Sequence, residues 1–162
     1  MNPVDENASE GDKPWSRWRN FNIWRGRLPH WRADDVTYFV TFRHRRNLEE
    51  GERMILFREV LKLDARRWIV LAMTILPDRT ELLAMAKVAI GGTAYDLNEV
   101  AERAKTVSGR RIIKLTGERF PPFFSESYDR IVRDEAEREA FLDGIVDGSL
   151  ETGLVVAPED WP

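Results

Sequence analysis

Ile75-Leu76-Pro77-Asp78-Arg79-Thr80-Glu81-Leu82-Leu83 decides how this chain folds. An apolar run over residues 68–76 leads into Pro77-Asp78. That pair favours a turn, because proline fixes φ and aspartate bonds its own backbone. Residues 81–88 then resume an extended pattern, so the stretch predicts an antiparallel pair folded back across Pro77-Asp78. Arg79 and Glu81 stand two apart, and residues two apart on a strand face the same way. That spacing suits two groups that act together. They could form an ion pair on a solvated strand face. Arg79 could contact a phosphate, which arginine does well. Glu81 could hold a divalent metal, since carboxylates suit Mg and Mn.

Working outward, residues 36–42 are rich in β-branched and aromatic types and read as a strand. Asn47, with Glu50 three residues on, predicts a helix start. Ile55, Leu56, Val60, Leu61 and Leu63 follow at roughly helical spacing. Gly91-Gly92 breaks the pattern. Leu97, Val100, Ala101, Ala104 and Val107 predict a second helix running toward Leu115, and Pro121-Pro122 stops it. Phe123 and Phe124 suggest a short strand. A third helix is expected from near Asp134, with Phe141, Leu142 and Ile145 on its apolar face. The order predicts an α+β fold, a small antiparallel sheet with helices on one face. Residues 1–14 lack apolar periodicity and are expected to be a disordered leader. Residues 15–162 are expected to form a single domain that opens with a basic, tryptophan-rich arm.

Composition sets looser bounds. Hydrophobic residues are 43% and charged residues 33%, a globular profile. There is no Cys, which excludes disulfides and thiolate metal sites. Two histidines, His30 and His44, are too few for an all-histidine metal site. No apolar run approaches the ~20 residues of a membrane span. A cytoplasmic protein without membrane partners is the expectation.

The net charge of −3 opposes strong nucleic-acid binding, but its distribution does not. Lys13, Arg17, Arg19, Arg25, Arg27 and Arg32 form an acid-free run with Trp15, Trp18, Phe21, Trp24 and Trp31 interleaved. Cations for phosphates plus flat rings for bases is a nucleic-acid pattern. An arm that packs its tryptophans on the domain would look the same. Arg103, Val107, Arg110 and Lys114 follow one helical face, with Arg111 beside them. Arg130 and Arg133 would grip phosphate or pair with Asp129 and Asp134.

The hairpin and its surroundings resemble the REP-associated tyrosine transposases of the insertion sequence 200-like, single-tyrosine group. In them Met-Pro-Asp/Asn-His-Val-His-Leu-Leu occupies the place of the quoted stretch. Leu76, Pro77, Asp78, Leu82 and Leu83 match, while Arg79 and Glu81 stand at the two histidine positions. Gly26-Arg27-Leu28-Pro29-His30-Trp31 and Thr37-Tyr38-Phe39-Val40-Thr41-Phe42-Arg43 are similar to the family's opening. Lys105-Thr106-Val107-Ser108-Gly109-Arg110-Arg111-Ile112-Ile113-Lys114-Leu115 resembles its basic helix, and Glu126-Ser127-Tyr128-Asp129-Arg130-Ile131-Val132-Arg133-Asp134-Glu135 its tyrosine segment. Gly153-Leu154-Val155 and Pro158-Glu159-Asp160-Trp161 match its close. The likeness covers residues 26–162 in order.

The resemblance implies a ferredoxin-like core, DNA as partner (hairpin or single-stranded), and Tyr128 as the nucleophile position. It implies phosphate contacts for Lys105, Arg110, Arg111 and Lys114. Tyr128 equally suits a core or rim residue near a helix start. Family members cut single-stranded DNA with a metal held by the two histidines. Arginine is always protonated and cannot replace one of them. A DNA-binding, transposase-like chain that has lost metal-dependent cleavage is therefore expected, with no cofactor. Two alternatives stand beside it: an active transposase using Mg or Mn on Glu81, and a regulatory protein-interaction domain. Monomer and dimer are both open.

Overall fold

The computed structural model describes residues 18–19, 21–25 and 29–151, and for 22–25, 29–31 and 149–151 the backbone alone. The chain runs β1 (Asn22–Arg25), β2 (Pro29–Arg32), β3 (Thr37–Arg43), α1 (Glu50–Leu63), β4 (Trp68–Ile75), β5 (Arg79–Ala86), α2 (Leu97–Thr116), β6 (Tyr128–Ile131) and α3 (Glu135–Glu151). From β3 to β6 this is β-α-β-β-α-β. The strands lie in the order β4-β5-β3-β6, every pair antiparallel. That is the expected ferredoxin-like sheet. β1 and β2 form a separate two-stranded ribbon, which the arm's sequence did not announce.

Both faces of the sheet are apolar, and this decides where the helices go. On one face Tyr38, Val40 and Phe42 meet Leu82, Ala84 and Trp68. They are covered by Leu56 and Val60 of α1 and by Val100, Ala101, Ala104 and Ile112 of α2. On the other, Leu83 packs with Phe39 and Ala72 against Ile145 and Phe141 of α3. The Phe39 and Phe141 rings stack, with centroids 4.3 Å apart. The helices thus occupy both faces and not one as expected. The reason lies in Leu82-Leu83-Ala84, which is apolar on alternate sides, so each face needs a cover. Among the described residues no helix is long and apolar enough to cross a membrane.

Local chemistry moves several expected boundaries. α1 is capped by Glu49 and not Asn47, because the Glu52 carboxylate accepts from the Glu49 backbone N–H at 2.8 Å. β4 does not bury the whole of its apolar run, since Ile69 and Leu71 are 42% and 46% exposed. It is an edge strand with a register shift between Val70 and Ala72. Phe123 forms only a bridge to His44, and the strand here is β6, which the sequence did not announce, while α3 starts at Glu135 as expected. α2 closes on Gly117 at φ 76, a left-handed cap with its N–H on Ile113 O. A Cβ at Gly109 would stand 2.8 Å from the Cβ of Pro121, so glycine lets the 118–126 segment lie against α2. Trp18 and Phe21 pack against the core. The expected leader, residues 1–14, lies outside the described residues.

His44 ties the end of β3 to the β4–β5 turn. Its Nδ1 is 2.7 Å from Pro77 O and its Nε2 3.0 Å from Thr80 Oγ1. A carbonyl only accepts, so Nδ1–H donates and Nε2 accepts from the threonine hydroxyl. Burial pushes the imidazole pKa below its ordinary value, and the Pro77 bond only partly opposes this. Between the folded and unfolded pKa values the native state therefore binds fewer protons. The stability from neutral His44 is complete above about pH 6.5 and is lost as the pH falls through the folded value. Urea unfolding is expected to show a lower midpoint at pH 5.5 than at pH 7.5, with the difference shrinking in His44→Gln. An undiminished difference in the variant would assign the titration to another group.

Candidate functional site

The strand registers bring sequence-distant residues onto one face. Tyr128 of β6 pairs with Thr41 of β3, Thr41 with Glu81 of β5, and Glu81 with Thr74 of β4. Directly paired residues share a face, so all four side chains form a row on the α3-bearing side. Two strand spacings put Tyr128 and Glu81 roughly 10 Å apart. Tyr128 is 44% exposed. One register step on, exposed Arg43 pairs with Arg79.

Arg79 sits between two carboxylates. Its Nε donates to Glu81 Oε1 at 2.8 Å, and its Nη1 lies 3.2 Å from Asp78 Oδ1. The hydrogen bond to Glu81 is the main reason its pKa stands above the ordinary arginine value. The arrangement does not fit a divalent metal. Arg79 has no lone pair to offer, and it holds the Glu81 oxygen that a metal would need. His44 faces the other side with both nitrogens engaged. Among the described residues no three His, Cys, Asp or Glu side chains come together as a metal site.

The other candidates divide between surfaces. Arg130 pairs with Glu137, as does Arg133 at 3.9 Å, so both turn to the start of α3 and not to Asp129 and Asp134. Asp129 instead receives Arg32 Nη1 at 2.5 Å, while Arg32 Nη2 reaches Asp96. Burial opposes the Arg32 charge, but the two aspartates outweigh it and hold its pKa above the ordinary value. This ion triad fastens the β1–β2 ribbon to β6 and to the start of α2. Arg110, Arg111 and Lys114 are exposed on α2, on the side of the sheet away from Tyr128. Arg111 Nη1 meets Glu59 at 2.8 Å. Trp24 and Arg25 are described as β1 backbone only, and Arg27 lies outside the described residues.

Lys105 departs from the expected phosphate contact. It is 3% exposed, with Nζ donating to Phe124 O at 2.9 Å, paired with Glu102 and 5.2 Å from the Phe42 ring. Burial lowers its pKa despite Glu102. A buried ammonium that fastens the 118–126 segment cannot reach DNA.

That segment carries what the sequence reading missed. Phe120 and Phe124 are 62% and 48% exposed. The Arg119 guanidinium lies 5.2 Å from the Phe120 ring and that of Arg45 5.3 Å from the Phe124 ring. Phe124 N–H donates to Arg43 O, which sets one ring–cation pair beside the Arg43 end of the row. The signal was present as Arg43-x-Arg45 and Arg119-Phe120, but Phe124 read as part of a short strand.

No protein-family model matches the chain, and no curated protein does. Among solved structures it is similar to a REP-associated tyrosine transposase bound to a REP hairpin. The TM-score is 0.66 at 15% identity, over 85% of this chain and 81% of that one. The two share a fold.

Lys105→Ala is expected to lower stability by about 2–4 kcal/mol, since it deletes a buried stem and orphans Phe124 O. Chemical denaturation measures this. A loss under about 0.5 kcal/mol, the scale of ordinary surface changes, would contradict the anchoring role.

Proposed function

We propose that this chain binds DNA, hairpin or single-stranded, on the α3-bearing face of the sheet and does not cut it by a metal-dependent route. The observation that carries the reading is the shared face of Tyr128, Thr41, Glu81 and Arg79, in a fold similar to a hairpin-bound transposase. At its Arg43 end, Arg43 pairs across the strands with Arg79 and Arg45 lies over the exposed Phe124 ring, which favours phosphate there. Phe120 and Phe124 offer faces on which unpaired bases stack. Around Tyr128 the balance reverses. Across the row stands the Glu81 carboxylate, which repels phosphate, and Arg79 holds the oxygen through which Glu81 would take a metal. Tyr128 is then a contact residue and not a nucleophile.

Fluorescence anisotropy with labelled hairpin and single-stranded DNA tests this. Salt-sensitive binding is expected. Phe124→Ala should weaken single-strand binding by ~1–3 kcal/mol with little change in salt slope, because stacking carries no counterion release. With Mn²⁺ added, denaturing gels should show no covalent adduct. An adduct lost in Tyr128→Phe would reverse the claim of inactivity and support the enzyme that uses Glu81. No affinity even at low salt would reject DNA binding in favour of a protein-interaction domain.

A further inference from the structure

On the opposite side of the sheet, α1 and α2 leave an open cleft of about 460 Å³. That is within the range of small-ligand pockets. Its charge is one-sided. Lys62, Arg66, Arg67 and Arg103 line it with Tyr95, and the single acid is Glu59. Glu59 is buried and already met by Lys62 at 2.8 Å and by Arg111 at 2.8 Å. Arg67 lies 5.0 Å from the Tyr95 ring centroid, which fixes it at the wall. Arg66 and Arg103 are exposed and have no ion-pair partner among the described residues. In a chain of net charge −3, four cations around one cavity are a local excess that repels itself until an anion enters.

We infer that the α1–α2 cleft is a phosphate-binding site, separate from the sheet face that carries Tyr128. Three of its four cations are arginines, whose planar fork matches phosphate oxygens two at a time. They come from two places, Arg66 and Arg67 from the turn between α1 and β4 and Arg103 from α2, so the cleft suits a ligand with several charges and not a lone carboxylate. Two ligands carry that chemistry: a nucleic-acid backbone and a free nucleotide. Arg110 and Lys114 continue the Arg103 face along α2 for roughly 16 Å beyond Arg103, at 1.5 Å per residue. A track of that length favours the polymer. The choice of DNA over a free nucleotide rests on the function proposed above, whereas the phosphate site itself does not.

The test is calorimetry of the full chain with a DNA hairpin, inorganic pyrophosphate and a nucleoside diphosphate in separate titrations. Wild type is compared with Arg66→Ala/Arg103→Ala, a variant that removes exposed, unpaired side chains. Hairpin affinity should fall in the variant, and the slope of log affinity against log salt should drop by about two. Pyrophosphate binding should be lost as well. A wild type that binds the diphosphate but no DNA, with binding lost in the variant, keeps the site and rejects the DNA reading. Unchanged affinities for all three ligands in the variant would overturn the site.

Discussion

The structure depends on the register of β3. This strand is hydrogen-bonded to β5 on one edge and β6 on the other, and apolar side chains pack on both of its faces. Tyr38, Val40 and Phe42 are committed to the α1–α2 core, and Phe39 to α3. A slip of one residue would exchange the two sets and place Thr41 and Arg43 in the larger core. The cost of that exchange pins the register. The pinned register sets Tyr128 and Glu81 on either side of Thr41. The row is thus a by-product of core packing, held without any contact of its own between Tyr128 and Glu81.

Within the row, the Arg79–Glu81 pair sets the chemistry. A metal would present a mobile, unsaturated positive charge to a phosphodiester. Arg79 presents a fixed one whose Nε is already spent on Glu81 and whose Nη1 reaches Asp78. A site of this kind offers a metal no free ligand atom from Arg79. Positive charge outside the pair stands at Arg43 beside the exposed rings and at Arg103, Arg110 and Lys114 on α2. The acidic balance of the whole chain hides these two surfaces, which lie on opposite sides of one sheet.

Much of this was legible in the sequence because it follows from period and turn chemistry. Pro77-Asp78 marks the β4–β5 turn, and the spacing of Leu97, Val100, Ala101 and Ala104 marks α2. The opposite placement of α3 was not read, although Leu82-Leu83 carries an apolar residue for each face. β6 escaped because four residues with two charges show no pattern of their own. They become a strand only by pairing with β3. Lys105 was misplaced because a charge in a basic run reads as solvated. Its burial depends on the Phe124 carbonyl, nineteen positions away. The α1–α2 cleft needs Arg66 of the turn after α1 and Arg103 of α2 to line one cavity, which no local spacing shows. Arg79 and Glu81 were read as an ion pair, a phosphate contact or a metal site, and the geometry has the first.

The central claim is that DNA lies on the face defined by the β3 register. Backbone amide chemical shifts recorded during titration with a DNA hairpin test it most directly. The account predicts the largest changes at Arg43, Arg79, Phe124 and Tyr128, with a second set along α2 at Arg103 and Arg110. Changes confined to the β4 edge at Ile69 and Leu71, with Arg79 and Tyr128 silent, would contradict it.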